Sequence, residues 1–356
     1  MVQSINGTTP LEEARGALAS AYDLTFTKAV VRVTGHVYDR VRHRIPQEEW
    51  ARLAPLIVQI NRLKQQKKAT ILAHVQQSPA IYFGVADPVG VNLDLLHEGI
   101  RARTPLIVFA GVRTMAGTLK LVLPKRRILI PDSRARCSLA TSIAPDDVLA
   151  IRSQYPGVRV VVHVNSSLPI KALADATFTS ANALKVVEAM PGDRVIMLPD
   201  QFLAQNVARQ TSKKLIAWAG TCEIHRDFAP DGIEGLRRDH PAAKILAHPQ
   251  TAPAVAEAPD FVGASRAMSD WLRAQKPAEA IILSEPAVAD NIAANFPETK
   301  FLDTPSAAQG HEQRINLENI LWSLHTLTED VAVPADLARP ARAAVTRMLE
   351  ISRKRD

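Results

Sequence analysis

A long internal repeat is the sequence feature that most restricts how this chain can fold. Three short apolar runs each end in a histidine and a polar turn, as ILAHVQQ, VVVHVNS and ILAHPQT. Their histidines, His74, His163 and His248, are 89 and 85 residues apart. The segments LIVFAGV, VIMLPDQ and IILSEPA recur in step with them. A period of this length is too long for a solenoid, so it predicts three copies of one small domain.

The apolar runs also predict the fold class. They are continuous rather than alternating, which is typical of strands buried on both faces of a parallel sheet. We expect three strands in each repeat, with helices between them. The expected strands lie near 69–74, 105–110 and 127–131, near 158–164, 194–198 and 214–219, and near 243–248, 279–283 and 299–302. The prediction is an α/β protein with three pseudo-threefold-related α/β/α sandwich domains, whose small parallel sheets surround a central site.

The repeat divides the chain into five parts, and its 356 residues agree with a count of about two or three domains. Residues 1–66 are expected to form an N-terminal extension and helix, of which only 10–21 and a segment from Pro46 to about Lys68 have a helical pattern. The α/β repeats are expected at 67–152, 153–237 and 238–315, and closing helices at 316–356.

Two classes of location are excluded by the apolar pattern and the cysteine count. No apolar run reaches the roughly 18 residues of a membrane span, so no membrane association is expected. The N-terminus carries an acidic LEEA rather than a charged-then-apolar signal. Two cysteines cannot form a disulfide framework. We therefore expect a cytoplasmic protein.

The net charge of +7 is compatible with a protein that binds nucleic acid. The basic residues are scattered, and aromatic residues make up only 5% of the chain, which leaves few platforms for stacked bases. We therefore expect no nucleic-acid partner and favour an anionic small-molecule substrate. The oligomeric state does not follow from the sequence.

Polar residues collect at equivalent places in the three repeats. Ligands of open parallel sheets bind beyond the carboxyl ends of the strands, where helix N-termini favour anions. The first strands are predicted to end at the three histidines. The next helix starts carry Asn92, Ser180 and Ser265, and the last strands are followed by Cys137, Cys222 and Gln309. If the repeats face a common centre, each contributes one member of each set to a single cavity.

Long motifs resemble those of the quinolinate synthase family, from about Asp39 to Leu349. They include GVADPVG, AGVRTMAGTLKL, LIPDSRARCSLATSI, HVNSSLPIKALAD, RVIMLPDQFLAQNVA, WAGTCEIH and DFVGASRAM. The resemblance implies the three-domain fold and the condensation of iminoaspartate with dihydroxyacetone phosphate to quinolinate, a precursor of NAD. It also implies a four-iron–four-sulfur cluster on three cysteines, one per domain, whose open iron acts as a Lewis acid.

The cluster positions depart from the family pattern. Cys137 and Cys222 stand at the first two of them, but Gln309 stands where the third cysteine is expected, with His311 nearby. Two thiolates leave such a cluster underligated, and Arg134 and Arg136 add bulk beside Cys137. We therefore expect a vestigial metal site and no cofactor, with an iron–sulfur cluster, or zinc or iron at Cys137 and Cys222, as the alternatives.

The residues expected to line the cavity also differ from those of the family. Gln76 and His163 stand at tyrosine positions of the family, and Gln250 stands at the glutamate expected to act as an acid or base. Imidazoles titrate near neutral pH and can move protons. The expected catalytic residues are His74, His163, His225 and His248. The expected substrate-binding residues are Gln76, Asn92, Arg113, Asn165, Ser166, Ser180, Gln250 and Ser265.

Three functions remain open at this point. The first is a quinolinate synthase-like transferase or lyase without a functional cluster, which condenses an amino- or imino-dicarboxylate with a carbonyl or phosphorylated small molecule. The second is a non-catalytic protein that binds an anionic metabolite. The third is an enzyme with one metal ion held by cysteine and histidine, a ligand combination that suits zinc.

Overall fold

Three four-stranded parallel sheets form the framework of the protein. The structure, a computed structural model, describes residues 11–304 and 314–353. The strands of the first sheet are β1 (Ala69–His74), β2 (Val89–Gly90), β3 (Leu106–Ala110) and β4 (Arg127–Leu129). Those of the second are β5 (Arg159–His163), β6 (Ala176–Phe178), β7 (Arg194–Leu198) and β8 (Lys214–Ala217). Those of the third are β9 (Lys244–Ala247), β10 (Phe261–Val262), β11 (Glu279–Leu283) and β12 (Lys300–Leu302).

The strand order is the same in every sheet, which confirms the predicted fold class. The orders are β2-β1-β3-β4, β6-β5-β7-β8 and β10-β9-β11-β12, with all neighbours parallel. The central strands are buried on both faces, as their continuous apolar runs predicted. The proposed domain boundaries stay a prediction, although the three sheets lie within the three predicted repeats.

Each sheet has one strand more than predicted. The additional strands, β2, β6 and β10, contain only two or three residues, too few to produce a hydrophobic pattern. An aspartate before each one fixes its position. Asp87, Asp175 and Asp260 accept hydrogen bonds from backbone N–H groups near the start of β1, β5 and β9. The donors are Ile71, Val160 and Ile245, at 2.9, 2.8 and 2.9 Å.

Helices cover the sheets and connect their strands. In the N-terminal part and first repeat they are α1 (Leu11–Ala21), α2 (Lys28–Val41), α3 (Gln47–Gln66), α4 (Pro79–Gly84), α5 (Asn92–Arg101) and α6 (Arg113–Val122). The middle of the chain contains α7 (Ser138–Thr141), α8 (Pro145–Gln154), α9 (Leu168–Ala172), α10 (Ala183–Glu188) and α11 (Gln201–Ala208). The last part contains a 3₁₀ turn (His225–Asp227), α12 (Pro230–Asp239), α13 (Pro253–Ala256), α14 (Ser265–Gln275), α15 (Pro286–Ala293), α16 (Leu317–Thr326) and α17 (Ala335–Arg353).

The helix α2 lies in a segment for which no core pattern was recognised. It begins at a turn capped by Thr27, whose side chain accepts a hydrogen bond from the Val30 N–H at 3.3 Å. Its buried face is narrow, with Val37 and Val41 in the core, whereas Val33 on another face is 55% exposed. Valines on both faces therefore obscured the helical period. In the described part of the chain, no helix has the length and apolar content needed to cross a membrane.

The two C-terminal helices close the molecule at different places. Helix α16 packs against α1 and α3, and it ends at Thr326 because Leu327 adopts a left-handed conformation with φ 56°. Helix α17 packs against α6, α9 and β6, so it joins the first and second repeats. Met348 of α17 is fully buried in their shared core.

A ring of hydrogen bonds links the repeats. Asn206 of α11 donates to two carbonyls of the turn after β9, at 2.9 Å each. Asn291 of α15 donates to two carbonyls of the turn after β1, at 2.7 Å each. At the same place in α6, the Thr118 hydroxyl donates to the Thr114 carbonyl of its own helix at 2.8 Å and accepts from Lys171 of α9, the helix after β5, at 2.6 Å. Its oxygen also lies 3.5 Å from the Val164 carbonyl after β5. Each repeat therefore contacts the histidine turn of another repeat, and the three contacts form a closed circuit.

Candidate functional site

The three repeat histidines line one cavity, as the sequence predicted. His74 and His163 end β1 and β5, and His248 follows β9. Their common cavity, the histidine cavity, has a volume of about 60 Å³. It is also lined by residues from the three predicted helix starts, Asn92, Ser180 and Ser265.

Each of these histidines is oriented by the same local hydrogen bond. Nδ1 accepts the backbone N–H two residues further on, from Gln76 at 3.4 Å, Asn165 at 3.2 Å and Gln250 at 3.4 Å. A neutral imidazole that accepts at Nδ1 carries its proton on Nε2. These contacts therefore assign the same tautomer to all three rings, with Nε2–H as the donor.

Burial keeps the three rings neutral. It lowers the pKa of His74 to about 4, partly opposed by the charge of Glu285. It lowers the pKa of His163 to about 3, and the nearby Lys171 contributes to this shift. Burial also lowers the pKa of His248 well below its usual value, with His225 contributing. At neutral pH the histidine cavity thus has three uncharged N–H donors rather than imidazolium ions.

The helix starts are positioned in two different ways. Asn92 and Ser265 are the first residues of α5 and α14, where unpaired backbone N–H groups favour anions. Ser180, in contrast, lies three residues before α10, in a turn closed by Asn182 accepting from the Thr179 N–H at 2.6 Å. The predicted helix start at residue 180 was therefore early, because the helix begins at Ala183, with Asn182 as its N-cap.

A second cavity adjoins the first. The thiol cavity, with a volume of about 50 Å³, is lined by Cys137 and Cys222 together with Arg136, Glu223 and Glu285. Three amide side chains, one from each repeat, line both cavities and so form part of the wall between them: Gln76, Asn165 and Gln250. Glu285 also lines both cavities.

Two of these amides are bound to carboxylates that the sequence analysis did not select. Gln250 donates from Nε2 to Asp200 at 2.5 Å, and Gln76 donates from Nε2 to Glu285. Asp200 and Glu285 occupy equivalent positions, since each precedes a helix, α11 or α15, after the third strand of its repeat. The signal was present in the sequence, because VIMLPDQ and IILSEPA each have an acid two residues after the leucine that ends the strand.

The two carboxylates differ in charge. Burial raises the pKa of Asp200 to about 6, despite the hydrogen bonds from Leu203 and Gln250. Burial also acts to raise the pKa of Glu285, but the positive charges that the neighbouring His225 and His248 take up in acid lower it to about 2. Glu285 is therefore the permanently anionic group at the junction of the two cavities.

His225 is a buried imidazole beside Glu285 and Cys222. Its side chain is 1% exposed, and its Nε2 lies 3.6 Å from Glu285 Oε2. Within the described chain neither ring nitrogen has a hydrogen-bond partner, although the ring stacks on His248 with 4.5 Å between the centroids. The ligand atoms of Cys222, His225 and Glu285 all lie within 4.8 Å of one another. Such a group of donors can bind a metal.

Other predicted residues lie away from the cavity walls. Arg113 is the first residue of α6 and is exposed. Ser166 is buried, but it lines neither the histidine cavity nor the thiol cavity. Arg134 forms an ion pair with Asp132 at 2.7 Å instead of extending along the thiol cavity. Gln309 and His311 lie outside the described residues.

Comparisons with known proteins agree on one family. The model of a family described as "Quinolinate synthetase A protein" matches residues 58–350. The quinolinate synthase of Caulobacter vibrioides is 44% identical over 330 residues, which cover 92% of this chain and 90% of that protein. That of Agrobacterium fabrum is 44% identical over 315 residues, covering 88% and 91%. That of Xylella fastidiosa is 45% identical over 289 residues, covering 81% and 85%.

These relatives overturn the expectation that no cofactor is bound. Quinolinate synthases use an iron–sulfur cluster, and the similarity extends over nearly the whole chain. The expectation rested on the absence of a third cysteine, but other side chains also donate to iron. The argument from added arginine bulk also fails for Arg134, which pairs with Asp132.

The side chains of the thiol cavity fit an iron–sulfur group. Cys137 and Cys222 come from the first and second repeats and line the same cavity. A buried carboxylate from the third repeat, Glu285, lines it as well, and His225 has ring nitrogens without hydrogen bonds in the described chain. Thiolate, carboxylate and imidazole are all ligands for iron.

Proposed function

Because the chain belongs to the quinolinate synthase family, we propose that it catalyses a condensation of that family's type. The substrates are an amino- or imino-dicarboxylate and a carbonyl compound or phosphorylated small molecule, and the product is a nitrogen heterocycle of NAD biosynthesis. The observation that carries the proposal is the pair of adjoining cavities. One is lined by three equivalent imidazoles and the other by two thiols.

The histidine cavity suits the carboxylates of such a substrate. The three Nε2–H groups and the side chains of Ser180 and Ser265 can donate hydrogen bonds, and the N-termini of α5 and α14 add positive dipole ends. Among the described residues, no lysine or arginine lines this cavity. The preference of the histidine cavity for anions therefore comes from neutral hydrogen-bond donors and helix dipoles. It does not require protonated histidines.

In the thiol cavity, Cys137 and Cys222 would hold the iron–sulfur cluster of the family. When it is bound, an open iron supplies Lewis-acid polarisation of the substrate. The protein's own groups then orient the substrate from the other side, where Gln76, Asn165 and Gln250 border both cavities. The residues that align the two reacting molecules contribute to the rate by proximity.

The imidazoles of the histidine cavity stabilise negative charge that develops on the substrate. Gln250 stands where the family has a glutamate, and an amide does not exchange protons near neutral pH. His74, His163 and His248 each carry a proton on Nε2, and these neutral N–H groups can donate hydrogen bonds to a developing oxyanion. His225 and Glu285 form a second, adjacent pair that can accept a proton.

Anaerobic assays with reconstituted protein test the proposal. We expect heterocycle formation when an imino-dicarboxylate and a triose phosphate are supplied together, and roughly a hundredfold loss of kcat in a His248→Ala variant. Arg273→Ala is the control, because Arg273 of α14 is exposed and lines neither cavity. Failure to turn over any pair from a panel of imino-acids and triose phosphates would contradict the proposal.

A second candidate is a protein that binds an anionic metabolite without converting it. The hydrogen bond from Gln250 to Asp200 supports it, because it fixes an amide at the position of the family's acid or base. This candidate predicts that a dicarboxylate raises the melting temperature while no product forms under the assay conditions above. Product formation excludes it.

A further inference from the structure

The number of cysteines poses a problem for cluster binding. The whole chain contains two cysteines, Cys137 and Cys222. The family holds its cluster with three ligands, one from each domain, and these two come from the first and second repeats. The third repeat contains no cysteine, so its ligand has to be another side chain.

We infer that Glu285 is the third protein ligand of the cluster. It is the carboxylate of the third repeat that lines the thiol cavity together with both cysteines. One of its oxygens lies within 4.8 Å of Cys222 Sγ. This assignment restores one ligand from each repeat. The assignment of Glu285 rests on the proposed function, because that reaction uses the cluster.

The position of Glu285 in the fold also favours this role. It follows β11 and precedes α15, at the carboxyl edge of the third sheet. Gln76 donates to Oε1, and Ser284 donates to Oε2 at 2.7 Å. A carboxylate oxygen can accept more than one contact, so each keeps a lone pair for a metal. These two hydrogen bonds orient the ligand as the outer contacts of metal sites do.

Two neighbouring side chains are less suitable. Glu223 also lines the thiol cavity, but it is the next residue after Cys222 and so belongs to the second repeat. His225 likewise belongs to the second repeat, and it does not line either cavity as described. Neither of them supplies a ligand from the third repeat.

The replacement of thiolate by carboxylate keeps the charge of the ligand set. A carboxylate carries one negative charge, as a thiolate does, but its oxygen is a harder donor with less affinity for the iron of a cluster. The site should therefore hold its cluster less tightly than a site with three thiolates. A Glu285→Cys substitution should strengthen binding.

Iron and acid-labile sulfide in the full chain, reconstituted anaerobically without substrate, provide the test. We expect the wild type to hold both, and Glu285→Ala to lose roughly tenfold in iron affinity. Glu285→Gln should lose affinity similarly, and its near-identical shape guards against a folding artefact. Glu285→Cys should retain iron and sulfide and gain visible absorption from sulfur-to-iron charge transfer. The matched control Glu257→Gln changes an exposed glutamate of the third repeat that lines neither cavity, and it should behave as the wild type.

Several outcomes would overturn the inference. One is a folded Glu285→Gln variant that binds iron and sulfide as the wild type does. Another is loss of the cluster in His311→Ala or His225→Ala while the Glu285 variants keep it. A wild type without sulfide or iron after reconstitution would also overturn it. Because these measurements need no substrate, a loaded protein without turnover would contradict only the proposed function.

Discussion

At the scale of single residues, equivalent positions in the repeats keep their geometry while their chemistry changes. The three cavity histidines have the same Nδ1 contact, although His74 is partly exposed whereas His163 and His248 are buried. The residues before α11 and α15 are both acids, yet Asp200 has a raised pKa and Glu285 a lowered one. The difference follows from their neighbours, since Glu285 faces two imidazoles and Asp200 faces an amide and backbone N–H groups.

Asp200 should make stability depend on pH. Its pKa is raised from 3.8 to about 6 in the folded protein, so the native state binds more protons than the unfolded state between these values. Its contribution to the free energy of unfolding therefore falls as pH rises through this window. An Asp200→Asn variant, which can still accept from Gln250, should gain about 2 kcal/mol over the wild type between about pH 4 and pH 7.

Urea unfolding at a series of pH values measures this difference. Asp147→Asn is a suitable control, because Asp147 is partly exposed at the start of α8, outside the site. An Asp200→Asn advantage that stays constant across the pH range would show that Asp200 does not titrate in the folded protein.

At the scale of elements, short helices hold the turns that carry the histidines. Asn291 of α15 donates to two carbonyls of the turn after β1, and the histidine of that turn is His74. Both acceptors are backbone groups whose loss of a partner is unfavourable when they are buried. Helix α15 thus determines the position of a cavity residue in another repeat.

Asn291→Leu should destabilise the protein by about 3 kcal/mol, because two carbonyls lose their donor. The turn after β1 should also loosen, so binding of a dicarboxylate should weaken in the same variant. Urea unfolding and calorimetric titration measure the two effects. Asn206→Leu removes the equivalent contact at the turn after β9, and a much smaller effect there would contradict the equivalence of the two junctions.

The length of an element decided whether the sequence could predict it. Strands of five or six residues, such as β1 and β3, gave clear apolar runs and were predicted to within about one residue. The two-residue strands β2 and β10 depend on tertiary pairing and an aspartate contact, which leave no periodic pattern. Glu285 was missed for another reason. The family pattern identifies cluster ligands by their cysteines, whereas Glu285 is found only by comparing the repeats with one another.

At the scale of the whole molecule, the C-terminal helix α17 joins the first and second repeats. Its buried face includes Val345 and Met348, which contact a core formed by both repeats. The Thr177 hydroxyl also donates to Met348 Sδ at 3.4 Å. The predicted role of the last residues as closing helices therefore has a physical basis in this shared core.

Met348→Ala should lower the free energy of unfolding by about 3 kcal/mol, because it leaves a cavity at a fully buried position. Glu350→Ala, on the exposed face of the same helix, should change it by less than about 0.5 kcal/mol. Urea unfolding of the two variants under identical conditions checks the difference. Equal midpoints would mean that α17 contributes little to the joining of the repeats.

The closed circuit of contacts from α6, α11 and α15 has a mechanical consequence. A substrate that moves one histidine turn also moves the helix of another repeat that contacts this turn. That helix packs on the sheet of its own repeat, which carries another of the three histidines. Occupation of the centre should therefore slow amide hydrogen exchange at all three turns together. Binding at the centre would then be transmitted to all three repeats of one chain.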